Sequence, residues 1–173
     1  MIWDTALEEF VAEMPAYFRP QFSTDSTRML VYRDEKFIIY ETGTWTESLS
    51  FGIPCDCVYA FSPDFSLFAA SESASSENAP ILIWHVSTGK QLESLEGNEG
   101  FTAFLLFSPD GEMLWRAGER GDLMAWDTRD WQFLATQIGG ITPIFNLHGF
   151  QFMSDGRHYL LFSDLHFGLY GLR

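Results

Sequence analysis

Two cysteines and four histidines are the residues of this sequence that most readily suggest metal chemistry. Cys55 and Cys57 are separated by one residue, whereas paired cysteines of structural zinc sites usually have about two to four residues between them. In a strand, both would face the same side as small hydrophobic residues. The histidines lie far from them in the sequence, at His85, His148, His158 and His166. We therefore predict no metal site and no cofactor.

A second group contains the residue types of a hydrolase triad. Ser154, Asp155 and His158 lie close together in the sequence, and Ser163, Asp164 and His166 repeat these types. Serine and aspartate are also the usual residues of a tight turn, and Ser154-Asp155 belongs to a turn that recurs along the chain. The sequence has no nucleophile-elbow motif. We predict no catalytic residue and a protein that is not an enzyme.

The charge of the chain excludes several classes of partner. The formal net charge is −14, and the ten basic residues are spread along the sequence without a basic stripe. Nucleic acid and anionic membrane surfaces would be repelled, so a partner steered by electrostatics would be basic. No apolar run approaches the ~18 residues of a membrane span, and the acidic N-terminus does not resemble a signal peptide. We expect a cytoplasmic protein.

The elements that must position any site are clearest between Phe101 and Asp127. Phe101 to Phe107 is an apolar run that predicts a strand, and Ser108-Pro109-Asp110-Gly111 predicts a turn. Met113 to Ala117 and Leu123 to Trp126 are two further predicted strands.

This unit recurs along the chain at intervals of about 40 to 45 residues. One landmark is the turn after the first strand, led by Phe22, Phe61, Phe107 and Phe152. The other is an aromatic residue at the end of the third strand, at Trp3, Tyr40, Trp84, Trp126 and Tyr170. A fourth strand follows each of the first four aromatic residues. The period predicts a repeat protein.

The repeated unit resembles a WD repeat, the four-stranded blade of a β-propeller. Phe107-Ser-Pro-Asp-Gly111 and Met124-Ala-Trp-Asp127 match the family pattern, as does Leu82-Ile-Trp84 followed by Ser87-Thr-Gly-Lys90. The resemblance implies an all-β fold with about four antiparallel four-stranded blades. Their approximate limits are 15–52, 53–97, 98–139, and 140–173 completed by 1–14. The family usually has a Gly-His pair before the first strand, which is Gly97-Asn98 here, so we expect its side-chain network to be absent or rebuilt.

The resemblance also implies that the N-terminal strand completes the last blade, with residues 7–14 beside residues 166–171. Leu7, Phe10, Val11 and Met14 have helical spacing, so local propensity favours a helix for residues 5–14. The phase of the repeat favours a strand, and we predict the strand. Four blades fit a small ring, half of an eight-bladed homodimer, or part of a longer propeller.

In this family the second-to-third-strand loops and the segments before the first strands lie on a face where partners dock. The residues at these positions are the candidate protein-binding residues Tyr17, Arg19, Asn98, Glu99, Phe101, Arg116, Glu119, Arg120 and His148. Loop 71–80 is a longer polar connection, read either as a binding loop or as a tolerated insertion. Trp45 and Trp131 are placed in fourth strands as packing residues.

The sequence thus predicts a non-catalytic protein-interaction scaffold. A first alternative is a half-propeller that functions only when assembled with a second copy or with a longer propeller. A second alternative is an enzyme with a site in the central channel. Such a site would need converging acids and bases near the first-strand starts, where Cys57, Phe104 and His148 lie.

Overall fold

The computed structural model describes residues 2–4, 9–12, 20–52, 58–71, 76–96, 100–119, 122–137, 147–153, 158–163 and 167–171. Within these ranges the chain forms strands and turns and no helix, which confirms the all-β prediction there. It follows that this part of the chain has no helix that could cross a membrane. Two compact units, Met1–Pro54 and Cys55–Arg173, are described separately.

The first unit begins with a pair of short antiparallel strands. β1 spans Ile2–Asp4 and β2 spans Glu9–Ala12, with Trp3 opposite Phe10. The predicted strand is therefore confirmed for Glu9–Ala12, because pairing with β1 outweighs the helical propensity of this segment. The expected pairing of residues 7–14 with residues 166–171 stays a prediction.

The rest of the first unit is a four-stranded antiparallel sheet in the order β3-β4-β5-β6. Its strands are β3 (Gln21–Phe22), β4 (Arg28–Arg33), β5 (Lys36–Glu41) and β6 (Thr46–Gly52). The apolar runs of β4 and β5 are buried, whereas β6 at the sheet edge is mostly exposed. Asp34 and Glu35, both in the left-handed region, make the tight turn between β4 and β5.

The described residues of the second unit form three antiparallel sheets. The first comprises β7 (Tyr59–Phe61), β8 (Leu67–Ser71), β9 (Ile81–His85) and β10 (Lys90–Leu95). The second comprises β11 (Thr102–Phe107), β12 (Met113–Gly118), β13 (Leu123–Asp127) and β14 (Phe133–Gln137). The third comprises β15 (Leu147–Phe152), β16 (His158–Ser163) and β17 (Phe167–Gly171). The three strands predicted between Phe101 and Asp127 are confirmed as β11, β12 and β13.

The three sheets of the second unit pack one after another through apolar side chains. Strand β11 lies against β7 and β8 on one side and against β15 on the other. One core cluster joins the first two sheets through residues such as Ile83, Leu105 and Trp126. A second cluster joins Trp115 of β12 to Phe152 and Tyr159 of the last sheet. Full burial of side chains of this size contributes about 1.5 to 3 kcal/mol each, so apolar packing is the main stabilising term.

The Phe-Ser-x-Asp motif forms the same turn in each of its three described copies. In the copy at Ser62, its Oγ donates to Asp64 Oδ1 (2.6 Å) and accepts from the amide of Leu67 (2.9 Å). The amide of Ser66 also donates to Asp64 Oδ1 (3.0 Å). Equivalent bonds link Ser23 to Asp25 and Ser108 to Asp110. The serine hydroxyl and the carboxylate together therefore close the turn between the first and second strands.

The fourth copy of the turn begins with a different side chain. Met153 follows Phe152 at the position of the buried serines, and its side chain is exposed. Its amide keeps the backbone bond of the motif, donating to the carbonyl of His158 (2.8 Å). Ser154 and Asp155, the hydrolase-type residues considered above, lie outside the described residues.

The connections between third and fourth strands share one backbone conformation. Each has a residue in the left-handed region at the same position. That residue is Trp45 in the first unit (φ 55°), Gly89 after β9 (φ 63°) and Trp131 after β13 (φ 59°). Each donates its amide to the carbonyl four residues earlier. The two tryptophans therefore lie in turns and not in fourth strands, which corrects their predicted position. Their predicted packing role is confirmed, because both indoles pack against core clusters.

The outermost strands of the four-stranded sheets differ in charge. β6 contains Glu47, and β10 contains Lys90 and Glu93. β14 contains no charged residue, and its Phe133 and Leu134 are about half exposed. Charged residues on an edge strand oppose pairing with other chains, and β14 lacks this protection.

Candidate functional site

The predicted protein-binding residues fall into two groups. Phe101, Arg116 and Glu119 are fully described, and only the backbone of His148 is described, in β15. The others lie outside the described residues, and they are Tyr17, Arg19, Asn98, Glu99 and Arg120. Phe101, Arg116 and Glu119 come together at one end of the three strands β11, β12 and β13. The Ser108 turn lies at the other end of these strands.

This end of the second unit brings three connections together. They are the end of the β8–β9 connection, the segment before β11, and the β12–β13 connection. We call their described residues (76–80, 100–102, 118, 119 and 122) the loop surface. Glu119 is exposed and donates its amide to the carbonyl of the half-buried Phe101 (3.3 Å). The structure therefore places these two predicted residues side by side.

Arg116 has a different position from the one expected of a residue that contacts a partner. Its side chain on β12 is 0% exposed, so a docked protein could not reach it. Nε donates to Thr102 Oγ1 (3.1 Å), and Nη1 donates to Asp122 Oδ2. Nη2 donates to the backbone carbonyl of Phe101 (3.0 Å). The correction follows from the cost of burying a charge, since a buried guanidinium must be paired and hydrogen-bonded on the spot.

Gly118 makes room for the acidic partner of this arginine. A Cβ at this position would overlap the Asp122 carboxylate. The Gly118 amide also donates to the backbone carbonyl of Asp122 (2.9 Å), which closes the β12–β13 connection. A larger residue at this position would force the Asp122 carboxylate to move away from Arg116.

The loop surface spans two neighbouring sheets. Gly100, before β11, donates its amide to Asn78 Oδ1 (2.8 Å) and accepts from the Asn78 amide at its carbonyl (3.0 Å). Asn78 belongs to the connection between β8 and β9. Both residues are in the left-handed region, with φ values of 61° for Asn78 and 73° for Gly100. This reciprocal pair ties a loop of one sheet to the first strand of the next.

The exposed charges around the loop surface are acidic. Glu77 and Glu119 lie on it and are exposed, and Glu96 at the end of β10 is exposed beside it. Arg116 lies beneath this surface, buried and hydrogen-bonded. In the described part of this end, the side chains that reach solvent therefore present negative charge to a partner.

Groups that could bind a metal ion do not gather in the described residues. Among them, no three His, Cys, Asp or Glu side chains lie close enough together to bind a metal ion. Cys55, Cys57 and His166 lie outside the described residues. His85 lies at the end of β9, where Nδ1 is 3.1 Å from Ser87 Oγ. This contact orders an exposed turn.

Sequence reasoning missed Gly100 and Thr102 at this end of the molecule, and it included Asn78 only as a member of loop 71–80. Asn78 had a usable signal, because asparagine tolerates the left-handed region and here precedes Ala-Pro at the end of a long loop. The hydrogen bond between Arg116 and Thr102 had no signal in the sequence, because it depends on the register of β11 against β12.

Comparisons with known proteins concern the fold. No protein-family model matches the sequence, and no curated protein matches it. Among solved structures, the chain is similar to hydrazine synthase from Kuenenia stuttgartiensis, with a TM-score of 0.62 and 12% sequence identity. The match covers 88% of this chain and 43% of that one, so this chain spans less than half of its length. At this identity the likeness concerns the fold alone and carries no information about chemistry.

Proposed function

We propose that the chain is a non-catalytic protein-interaction scaffold whose loop surface is the docking site. The observation that carries this proposal is the set of hydrogen bonds that the Arg116 side chain donates. Its buried guanidinium bonds to groups on the segment before β11, on β11 itself and on the β12–β13 connection. These hydrogen bonds hold the segment before β11 and the β12–β13 connection in place. Loops held rigidly on a stacked-sheet scaffold are suited to binding, because little ordering entropy remains to be lost on docking.

The proposed partner carries a basic surface. The exposed Glu77 and Glu119 and a net charge of −14 would attract it and accelerate the encounter. Phe101 is half-buried beside Glu119 and offers an apolar contact next to the charges. Aromatic residues are enriched at the centres of protein interfaces and charged residues lie mainly at the rim, so Phe101 would be the apolar contact and the glutamates would lie around it.

The proposed architecture is a propeller built from WD-like repeats. Support comes from the recurring four-stranded sheets, from the repeated Ser-Asp turn, and from the left-handed turn that follows the third strand in three sheets. The packing of β11 between β7 and β15 supports a radial succession of sheets in the second unit. The number of blades and the closure of the ring are part of the proposal.

A second candidate is a scaffold that functions only as an assembled homodimer. It is compatible, as a closed ring is, with the last sheet, in which three strands are described where the other two sheets of the second unit have four. A further strand could pair with the edge of β17. It would come from residues 7–14 of the same chain in a closed four-bladed ring, or from a second copy in an eight-bladed one.

The docking proposal can be tested by comparing what the purified chain retains from a cell extract with what two variants retain. Phe101→Ser combined with Glu119→Lys changes the loop surface. Asp130→Lys makes the same kind of charge change on an exposed turn at the opposite end of the same sheet. A docked partner should be retained by the wild-type chain and by Asp130→Lys, and lost from the loop-surface variant. The retained protein, once purified, should bind with a defined stoichiometry in calorimetry.

Two results would overturn the proposal. A partner that binds the loop-surface variant as well as the wild type would place the interface elsewhere. A partner lost from both variants would show a response to net charge alone.

The mass in solution separates the ring from the dimer. Light scattering on a sizing column should give twice 19.8 kDa, stable on dilution, if two copies close the ring together. A mass of 19.8 kDa at every concentration, with cooperative unfolding, would instead require closure within one chain.

A further inference from the structure

We infer that Arg116 is the positioning residue that joins the loops of two neighbouring sheets into one rigid loop surface. The inference rests on the same guanidinium as the proposed function and extends it to Asn78 and Gly100 of the neighbouring sheets, and its test requires no partner to dock. Arg116 does not touch Asn78 directly. It acts through the segment before β11.

The first step is the geometry of the guanidinium. Nε is bonded to Thr102 on β11, Nη1 to Asp122 after β12, and Nη2 to the backbone before β11. A guanidinium is planar and presents five N–H donors in fixed directions, so one side chain can fix several groups at once. A lysine ammonium in the same place could pair with Asp122 but could not reproduce this set of directions.

The second step is the backbone of Gly100. Its carbonyl lies 3.4 Å from Arg116 Nη2 and also accepts from the Asn78 amide. A carbonyl oxygen has two lone pairs and can accept both donors. The Gly100 amide donates to Asn78 Oδ1, so both backbone polar groups of Gly100 are hydrogen-bonded, the carbonyl to Arg116 and Asn78 and the amide to Asn78. Loss of the arginine would remove one donor from the Gly100 carbonyl and one from the Phe101 carbonyl, so the Gly100–Asn78 pair should open more often.

The third step is burial. Arg116 is fully buried, and Asp122 is 29% exposed. The contacts of Arg116 are therefore screened little by water or salt. Among the described residues of this sheet, Arg129 also forms an ion pair, with Asp127, but its side chain is 75% exposed and the pair is well screened. The buried pair can hold a loop in one position, whereas the exposed pair mainly orders its own turn.

The test is amide hydrogen exchange, measured by NMR in Arg116→Lys and Arg116→Met. Both variants should accelerate exchange at the Asn78 and Gly100 amides by at least about tenfold, with exchange in the centre of β13 unchanged. Arg116→Lys keeps a cation opposite Asp122, so it provides the test if Arg116→Met fails to fold. Arg129→Met is the matched control, because it removes an arginine from the other end of the same sheet. It should leave both loop amides unchanged.

Two results would overturn the inference. Unchanged exchange at Asn78 and Gly100 in Arg116→Lys would show that the loops are held without the guanidinium. Equal acceleration at the loop amides and in the centre of β13 would show that Arg116 supports the whole sheet and does not position the loops.

Discussion

At the scale of single residues, the serine of the repeated turn has two roles. In each described copy its hydroxyl donates a hydrogen bond to the aspartate of the motif. The same hydroxyl accepts a hydrogen bond from a backbone amide at the start of the second strand. These serines are buried, with exposed fractions of 0 to 3%. Replacement of one of them therefore leaves polar groups in poor contact with water.

Ser108→Ala should destabilise the protein by about 1 to 2 kcal/mol, because the Met113 amide loses its hydroxyl acceptor and Asp110 loses a donor. Urea denaturation would measure the loss. Ser50→Ala on the exposed face of β6 is the control and should change the free energy of unfolding by less than about 0.5 kcal/mol. Equal effects of the two substitutions would contradict the role assigned to the buried hydroxyl.

The same turn determines the acid titration of its carboxylates. The hydrogen bond from Ser23 lowers the pKa of Asp25 to about 2, with further bonds from Thr27. The hydrogen bond from Ser108 likewise lowers the pKa of Asp110. Burial alone would raise the pKa of Asp64, but its bonds from Ser62 and Ser66 lower it. A lowered carboxyl pKa stabilises the folded state above the ordinary value of about 4, and this contribution is lost as the pH falls towards 2.

Ser23→Ala should raise the pKa of Asp25 from about 2 towards its ordinary value, because the largest cause of the shift is removed. A carboxyl-carbon NMR titration would measure it. Asp127 provides an internal control, because its pKa of about 2 results from hydrogen bonds donated by Arg129. A shift at both carboxylates, or at neither, would contradict this account.

At the scale of elements, the turns between third and fourth strands show how one backbone conformation accepts two kinds of residue. Gly89 adopts the left-handed region at little cost, whereas Trp45 and Trp131 adopt it at a cost of roughly 1 to 2 kcal/mol each. Packing of the indoles against the core clusters offsets this strain.

Two substitutions separate strain from packing at position 131. Trp131→Gly and Trp131→Ala both remove the indole, but only alanine keeps a Cβ at a φ of 59°. The glycine variant should therefore be the more stable by about 1 kcal/mol in chemical denaturation. Trp84 lies inside strand β9, where the order should reverse, because glycine weakens a strand interior. An alanine variant that is the more stable at both positions would contradict the assigned strain.

The β12–β13 hairpin depends on a glycine for a different reason. Gly118→Ala should cost about 2 kcal/mol, because a Cβ would displace the Asp122 carboxylate from Arg116. We expect less than for a fully buried pair, because Asp122 is partly exposed and can be solvated. Gly43→Ala is the control: a Cβ there meets nothing within 4 Å, and denaturation should show little change.

Local sequence patterns allowed most of the elements to be predicted. The strands around Phe101 to Asp127 followed from apolar runs and turn residues, and the strand at Glu9–Ala12 followed from the phase of the repeat. The burial of Arg116 could not be predicted in this way. Charged residues are rarely fully buried, and its partners become close only through strand register and the contact between two sheets.

At the scale of the whole molecule, the lowered carboxyl pKa values also affect the overall charge. The isoelectric point calculated from the sequence is about 4.4. Asp25, Asp64, Asp110 and Asp127 remain ionised at lower pH than ordinary carboxyl groups. These four groups therefore keep more negative charge on the folded chain than on the unfolded one at acidic pH.

Isoelectric focusing should detect this difference. The native protein should focus below pH 4.4, and the protein in concentrated urea should focus near 4.4, because unfolding removes the hydrogen bonds that lower the pKa values. A native protein that focuses at or above the value in urea would contradict the assigned shifts.

The uncharged outer strand β14 has a consequence for handling the protein near that pH. At neutral pH the charge of −14 keeps copies apart. As acid removes this repulsion, Phe133 and Leu134 are left on an edge without a charged gatekeeper residue. Fibril-like stacking of copies should then start at β14 before it starts at β6 or β10. A single lysine at position 134 would supply the missing gatekeeper.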